Sequence, residues 1–388
     1  MTDPFLVSRL PKFPEPLYEL LNVAHNRPFS LLFANYSWFL GLAGGVALVW
    51  VLTARGRGRR DPVHQLTMPL AVVTIIAGFL NVLAEVRQPG RLYTGYLYGW
   101  NEWDTAVIKY GIILLPLFLV TCWWLTFQCL DRAALEKGIA GLPKGLRPLA
   151  DLVTFWSRRY DLFAQPLTYR LVLGAVTVLG LFAPLYSGVF LMYEHGVPVW
   201  NSPAQALLFI ATAVTKGAAV FLLLAPLLYR LATGTRLRMT AYEPLRWLAV
   251  AGLVVSAVTW FGWMWWLGRL GTTTDQQFTA LLAGPYHALA LWHWEIIGLV
   301  LPLIVLATLL FRYRIATWLA AFGILWGSYA IRLLVVLGGQ ALNRSGAGYL
   351  DFTLEPQVIA YTGFSTIFLL GLLAALLLLP FHQLEEEG

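Results

Sequence analysis

Charged residues are scarce in this chain. They make up 12% of its 388 residues, whereas a soluble domain carries roughly a quarter, so a water-soluble globular protein is excluded. Hydrophobic residues account for 59% of the chain and aromatic residues for 14%. The composition is that of a polytopic membrane protein.

Cysteine is scarcer still. Cys122 and Cys129 are the only two cysteines, too few for the about four ligands of an iron–sulfur cluster or for a disulfide framework. Haem is not expected either, because only His287 and His293 lie within or beside one predicted span, and their spacing puts them on different helix faces. The sequence predicts no metal and no haem in this chain, and assigns any metal to a partner.

Long apolar runs fill most of the sequence. Six uncharged runs have about the 20 residues that a membrane-spanning helix needs, and three more are each interrupted by one ionisable residue, Lys216, Glu295 or Arg332. The nine predicted spans are 28–54, 62–84, 110–130, 171–193, 196–229, 247–268, 276–311, 315–343 and 356–384. The fold class is therefore an all-α polytopic membrane protein.

The basic residues between the spans predict its orientation. One set of alternate loops holds sixteen Lys and Arg residues, and the opposite side holds eight, of which three lie in the N-terminal tail. By the positive-inside rule the N-terminus is outside and the C-terminus inside. These residues set the topology and do not indicate a nucleic-acid site, although the formal charge is +7.

Four segments lie outside the spans. Residues 1–28 have no continuous apolar stretch like that of a signal peptide and are predicted to be an outer-face tail. The longest inner connection, 131–169, is interpreted as a solvated linker, and the acidic end from Glu385 to Glu387 as a solvated tail. The loop from Arg87 to Trp103 is rich in Tyr and Trp, which favours a docking surface for a partner.

Polar residues inside the spans are candidates for function, because ionisable groups cost several kcal/mol in a bilayer on most scales. Alternate spans run in opposite directions, so the depths of residues on different spans can be compared. Most candidates fall in one layer near the outer face, with Lys216 near mid-membrane and Arg246 at the inner start of span six. The shallow layer holds Asn35, Tyr36, Glu85, Tyr186, His287, His293, Glu295, Arg332 and Gln340.

Such a layer is typical of a site for a quinone head group. Its oxygens need hydrogen-bond donors, quinol oxidation needs proton acceptors, and the isoprenoid tail needs only apolar walls. Other interpretations stay open. Tyr186 can be an interfacial anchor, Glu85 can extend to water, and Lys216 can pair with Glu295 or line a water path. Gly41, Gly44 and Gly45 favour close helix packing in span one.

Six stretches resemble the NrfD/PsrC-type membrane subunits of polysulfide reductase and related respiratory complexes. Their order and spacing make the resemblance strong. They are FLGLAGGVALV from Phe39, LAEVRQPGRLYT from Leu83, LYSGVFLMYEHGVPVWNSP from Leu185, PLRWLA from Pro244, HWEIIGLVLPL from His293, and VVLGGQ ending at Gln340.

The resemblance implies two four-helix bundles, 29–195 and 196–343, followed by a ninth helix and acidic cytoplasmic tail over 344–388. It implies that Tyr186 contacts the quinone and that Glu85 and Arg246 belong to a proton path. Tyr36, next to Asn35, stands where some members have a quinone-contacting histidine. The extra ninth helix is similar to tetrathionate-reductase-type membrane subunits.

These observations predict a bacterial inner-membrane subunit, periplasmic at its N-terminus, that oxidises menaquinol or ubiquinol near the outer face. Electrons would pass to a four-cluster, ferredoxin-like iron–sulfur subunit and then to a molybdopterin subunit. Tyr186 and Glu85 are the predicted catalytic residues. The predicted quinone-binding residues are Asn35, Tyr36, Tyr186, His293 and Gln340, and the predicted proton path is Glu85, Lys216, Arg246, Glu295 and Arg332. The rival functions are a secondary transporter, with charges at the midplane, and a structural membrane anchor that binds no quinone.

Overall fold

The structure is a computed structural model that describes residues 29–53, 62–86, 89–98, 107–129, 132–194, 197–233, 243–271, 273–341 and 356–378. The predicted N-terminal tail, the acidic end and parts of the Arg87–Trp103 loop lie outside these ranges. Everything below concerns the described residues.

Nine long helices follow the nine predicted spans. No strand occurs among the described residues, and eight of the helices, α1 to α8, are long and apolar enough to cross a membrane. The all-α, polytopic fold class is therefore confirmed. The helices are α1 (Leu31–Thr53), α2 (Pro62–Glu85), α3 (Ile108–Cys129), α4 (Pro166–Met192), α5 (Pro203–Thr233), α6 (Glu243–Leu270), α7 (Leu289–Ala307), α8 (Arg314–Ala341) and α9 (Pro356–Leu378).

The seventh predicted span is too long at its start. Its first residues belong to a separate helix, Thr273–Ala283, and α7 begins only at Leu289. Pro285 explains the break, because a proline disfavours helical backbone in the residue before it and has no N–H to donate.

The predicted solvated linker 131–169 contains two helices, and much of its surface is exposed. The helices are Arg132–Gly141 and Arg147–Arg159, and the second packs against α3. Pro148 does not interrupt this helix, because it stands in the first turn, where a proline's missing N–H has no partner to lose. The buried side chains of Thr154 and Ser157 mark the face that contacts the protein.

The long helices pack in two rings of four neighbours. In the first ring α1 contacts α2, α2 contacts α3, α3 contacts α4, and α4 contacts α1; helices α5 to α8 repeat this order. The rings meet where α1 and α4 contact α5 and where α1 contacts α8. Helix α9 lies outside both rings, mainly against α2. Helix α1 is therefore the helix shared by both halves.

Glycines allow this central helix to approach its neighbours closely. A Cβ atom on Gly44 would collide with the backbone carbonyl of Gly180 on α4, and one on Gly45 would collide with the carbonyl of Ala213 on α5. Gly217 of α5 faces the backbone of Gly45 in the same way. Close approach between small residues is how membrane helices gain packing without a hydrophobic driving force, as the sequence predicts for span one.

Candidate functional site

A cavity of about 200 Å³ lies inside the first ring, at the end where α1 begins and α2 ends. This is the end predicted to face outwards. Its walls are mostly apolar, and its polar side chains are three tyrosines, Tyr36, Tyr96 and Tyr186. The other lining residues are Phe33, Phe79, Val82, Leu83, Val86, Leu92, Ile108, Gly111, Ile112, Leu115, Pro116 and Phe190.

Tyr186 enters the cavity from α4 and is buried, with 5% of its surface exposed. Its ring stacks on Phe182 at 5.5 Å between centroids and lies 5.9 Å from Phe190. Across the cavity its phenol rests against Gly111 of α3, where a Cβ atom would overlap both the ring and the hydroxyl. The position of the hydroxyl thus depends on the lack of a side chain at 111.

Tyr36 enters from α1, also buried at 5% exposure. Its ring lies 5.8 Å from that of Phe33. Tyr36 and Tyr186 line the same cavity. Two phenols from neighbouring helices therefore share one small apolar space. Each phenol can both donate and accept a hydrogen bond.

Glu85 stands beside the cavity and is held by the start of α1. Its carboxylate accepts a hydrogen bond from the backbone N–H of Ser30 at 2.7 Å and another from the Ser30 hydroxyl. A carboxylate at a helix N-terminus is stabilised by the unpaired N–H groups there. Val82, Leu83 and Val86, on either side of Glu85 in the chain, line the cavity, so Glu85 is a neighbour of the space without being one of its walls.

The cavity opens between α2 and α3. Leu83 of α2 and Ile108 of α3 both line it and are 39% and 43% exposed, on helix surfaces that lipid would cover. On the outer side it is covered by residues 92–96, where the Tyr96 hydroxyl donates to the carbonyl of Ile112 at 3.0 Å. An apolar molecule in the bilayer could reach the two phenols through this opening.

Asn35 does not line the cavity, although it precedes Tyr36. Its amide nitrogen donates to Asn81 of α2 at 3.1 Å and to Thr362 of α9 at 3.0 Å. Its carbonyl oxygen accepts from the Tyr329 hydroxyl of α8 at 2.6 Å. Adjacent helical residues point about 100° apart, so Asn35 faces a polar junction of four helices while Tyr36 faces the cavity.

Two more predicted quinone contacts lie outside the cavity lining. The His293 imidazole accepts from the indole N–H of Trp326 through Nδ1 at 3.0 Å. The Gln340 side chain accepts from the backbone N–H of Phe29 at 3.0 Å and donates to the Phe29 carbonyl at 2.8 Å. Gln340 thereby ties the end of α8 to the start of α1.

The predicted proton-path residues are also dispersed. Glu295 accepts from the indole N–H of Trp260 at 2.9 Å, so the pairing of Lys216 with Glu295 is wrong. Arg246 forms an ion pair with Glu243 at 3.0 Å. Arg332 lies deeper than the predicted shallow layer, because its guanidinium and the Lys216 ammonium both lie next to Gly41, ten residues into α1, or about 15 Å along a helix.

Of the residues that line the cavity, only Tyr36 and Tyr186 were predicted as site residues, and those missed include Gly111, Phe190 and Tyr96. Tyr96 belongs to the aromatic loop predicted to be a docking surface, which is the one sequence signal for it. Phe190 lies in the family-like stretch that begins at Leu185, whereas Gly111 carries no signal of its own, since it is one glycine among many in apolar spans.

Comparison with known families identifies the chain. A family model described as "Polysulphide reductase, NrfD" matches residues 19–343, which is most of the sequence. The chain belongs to the NrfD family. No curated protein matches it. The suspected family is thus confirmed.

Membership in the NrfD family supplies the general assignment. The chain is a multi-pass membrane protein, a membrane subunit of the kind found in polysulphide-reductase-type oxidoreductase complexes. NrfD subunits are associated with quinones and generally have iron–sulfur and molybdopterin subunits as partners. Among the described residues no cluster of three or more His, Cys, Asp or Glu side chains could hold a metal ion.

Proposed function

We propose that this NrfD subunit oxidises menaquinol or ubiquinol in the Tyr36–Tyr186 cavity and delivers two electrons to an iron–sulfur subunit at the outer face. The observation that carries the proposal is the sharing of one apolar, lipid-facing cavity by two buried phenols, with a carboxylate beside it. A quinol supplies two electrons and two protons. The protein has to bind its head group, accept its protons and admit it from the bilayer.

The size and chemistry of the cavity fit a quinone head group. Its volume of about 200 Å³ is below the about 300–1,000 Å³ typical of sites for whole drug-sized ligands. It therefore accommodates a ring system, while the tail extends into lipid past Leu83 and Ile108. Aromatic rings of Phe33 and Phe190 supply walls against which a flat ring can pack.

Tyr36 and Tyr186 are proposed to hydrogen-bond the head-group oxygens, one from each side. A neutral hydroxyl serves both the quinol, which donates, and the quinone, which accepts, because it can play either role. Asn35, His293 and Gln340 are engaged elsewhere, so the proposal rests on the two tyrosines.

Glu85 is proposed to accept a proton during oxidation. Its chain neighbours Leu83 and Val86 line the cavity, and its carboxylate is oriented by Ser30. A positioned carboxylate is a common general base. The path towards the other side through Lys216, Arg246, Glu295 and Arg332 stays a prediction, because no hydrogen bond among the described residues links one of these to the next.

The electron acceptor is proposed to dock over residues 92–98. Leu92 and Tyr96 form part of the cavity's cover, while Tyr93 and Tyr98 are 61% and 69% exposed. Exposed aromatics are enriched in interface cores. An iron–sulfur subunit seated there would lie next to the cavity.

Replacing Tyr186 with phenylalanine tests this function. Loss of a hydrogen bond to the head group should lower quinol-dependent turnover of the complex by on the order of tenfold or more, while turnover with an artificial donor that reduces the iron–sulfur subunit directly stays unchanged. Tyr329→Phe is the matched control, because that phenol is outside the cavity and bonds Asn35. Unchanged quinol turnover in an assembled Tyr186→Phe complex would favour a structural anchor.

A further inference from the structure

The helix Arg147–Arg159 lies at the end of the first ring opposite to the cavity, and the quinol site does not use it. It is fastened to the last turns of α3. The Gln128 side chain of α3 donates to the backbone carbonyl of Tyr160 at 2.8 Å, and the Ser157 hydroxyl donates to the carbonyl of Trp124 at 3.4 Å. The helix therefore has a fixed place beside the end of α3.

This place is level with the membrane surface. Helix α3 has 22 residues, or about 33 Å at 1.5 Å per residue, close to the about 30 Å thickness of the hydrocarbon core. Its first residue, Ile108, lines the cavity at the end predicted to face outwards. Gln128 is the last residue but one and so lies near the opposite boundary. The helix fastened to it is at the depth of the lipid head groups, on the side predicted to be cytoplasmic.

One side of this helix is apolar and exposed. Leu149, Leu152 and Trp156 follow the spacing i, i+3, i+7 that places residues on one side of a helix, within about 60° of one another at 100° per residue. They are 60%, 73% and 70% exposed. A row of large apolar side chains on a surface marks a site of contact with protein or membrane.

The opposite side of the helix is charged. Arg147, Asp151 and Arg158 fall within about 40° of one another, about 150° from the centre of the apolar side, and Arg158 forms an ion pair with Asp151 at 2.8 Å. The third side, with the buried Thr154 and Ser157, packs on the protein. The helix is thus apolar on one side, charged on the other and attached to α3 along its flank.

We propose that this helix lies in the plane of the lipid head groups on the side of the membrane opposite the cavity, with phospholipid as its partner. Leu149, Leu152 and Trp156 would enter the boundary between head groups and acyl chains, while Arg147 and Arg158 face water. Opposed apolar and charged sides are the pattern of an interfacial helix, and tryptophan is enriched at this depth. The proposal does not depend on the quinol site.

Arg159 supplies a contact to the lipid head groups. It follows Leu152 by seven residues, which places it within about 20° of that leucine on the helix, and it is exposed. Its guanidinium carbon lies 4.6 Å from the centre of the Phe155 ring. A basic side chain can lie along apolar surface and keep its charge at the head groups, and a guanidinium matches phosphate with two parallel N–H groups. Arg159 therefore pairs with lipid phosphate in this arrangement.

Spin labels at two neighbouring positions test the placement. Leu152→Cys and Asp151→Cys would be labelled separately with a nitroxide in the complex, reconstituted in nanodiscs of phosphatidylethanolamine and phosphatidylglycerol. Power saturation in electron paramagnetic resonance compares collisions with oxygen, which concentrates in the bilayer, and with a water-soluble nickel chelate. The ratio of oxygen to nickel collisions should be several-fold higher at 152 than at 151. Cys122 and Cys129 are buried, so the unsubstituted complex, taken as the control, should not bind label.

The two collision rates together distinguish lipid from the other possible surroundings. Frequent nickel collisions at 152 would place the apolar side in water and overturn the proposal. Few collisions with either reagent would place it under another protein subunit, and would overturn the proposal as well.

A second pair of variants tests whether the apolar side holds the helix in the membrane. With the label at 152, Trp156→Ser should raise nickel collisions several-fold, because it removes an anchor from the same side. Asp151→Ser, on the charged side, should leave them unchanged. Equal responses of the label to the two substitutions would contradict anchoring by the apolar side.

Discussion

The two polar regions of this molecule share helix α1 and are built in opposite ways. Tyr36 faces a cavity that opens towards lipid, where the polar groups are neutral phenols on apolar walls. Gly41, little more than one turn further along, faces two fully buried cations in a closed junction. Neutral groups in an open cavity suit a neutral ligand that exchanges with the bilayer. Two basic side chains with no exposed surface, in contrast, have no contact with the bilayer.

The two regions therefore show two different ways of placing a polar residue in a membrane span. Such residues are functional candidates by default because they are costly, yet the cost is met in different ways. The phenols of the cavity are polar only at their tips, so they need few partners. The basic side chains of the junction donate to backbone carbonyls instead, Lys216 to that of Trp38 and Arg332 to that of Phe209.

The largest effect is expected where the two regions are joined. In Gly45→Val the new side chain would press on the Ala213 carbonyl of α5, and overpacking of this kind costs about 1–3 kcal/mol or more. Quinol turnover should be lost together with assembly, seen as a loss of assembled complex on size-exclusion chromatography. Gly262→Val, where a Cβ atom meets nothing within 4 Å, should assemble normally. If Gly45→Val assembles equally well, α1 is not the joint between the rings.

A large but local effect is expected at Glu85. Glu85→Gln removes the proton acceptor and should lower quinol turnover by about 100-fold, the lower end of the range for a positioned acid or base. Ser30→Ala is the control, because it removes one hydrogen bond to the carboxylate and keeps the carboxylate itself. Turnover per assembled complex should fall far more in Glu85→Gln than in Ser30→Ala. Equal losses in both would mean that Glu85 only caps α1.

A smaller effect is expected at Gly111, on the α3 wall of the cavity. In Gly111→Ala the methyl group would displace the Tyr186 phenol, so quinol turnover should fall by about tenfold through a weakened hydrogen bond. Gly174→Ala on α4, where a Cβ atom has open space, should keep full turnover. A Gly111→Ala complex with wild-type turnover would show that Tyr186 does not position the head group.

The smallest effect is expected at the opening. Leu83→Trp would narrow the gap between α2 and α3, and we expect a several-fold rise in KM for quinol with little change in kcat, since only access is altered. Leu171→Trp, at another exposed leucine in the first ring, should leave KM unchanged. Steady-state kinetics with a short-tailed quinol measure both constants. A kcat effect without a KM effect would place the entrance elsewhere.

Helices and family could be predicted from the sequence, because each depends on information that is local in the chain. Nine apolar runs predict nine helices, and the bounds fail mainly at Pro285 and Pro148, where one proline ends a helix and the other begins one. Tyr186 and Tyr36 were identified correctly as neighbours in depth, and the structure places them in one cavity.

The direction in which a polar side chain points could not be predicted. Depth does not fix the face of a helix, so Asn35 and His293 share the expected layer with Tyr36 yet bond to Asn81 and Trp326. Gly111 matters only because Tyr186 lies opposite, and that contact joins different helices. The surroundings of the Arg332 side chain could not be predicted without knowing how α8 packs against α5.

Photoaffinity labelling of the native complex in its membrane, with a quinone that carries a photoreactive group on its ring, tests the quinol site most directly. Peptide mapping should place the label on residues lining the Tyr36–Tyr186 cavity, such as Leu83, Ile112 or Phe190, with labelling suppressed by excess natural quinone. Labelling confined to α5–α8, or none that natural quinone competes for, would contradict the assignment of quinol oxidation to this cavity.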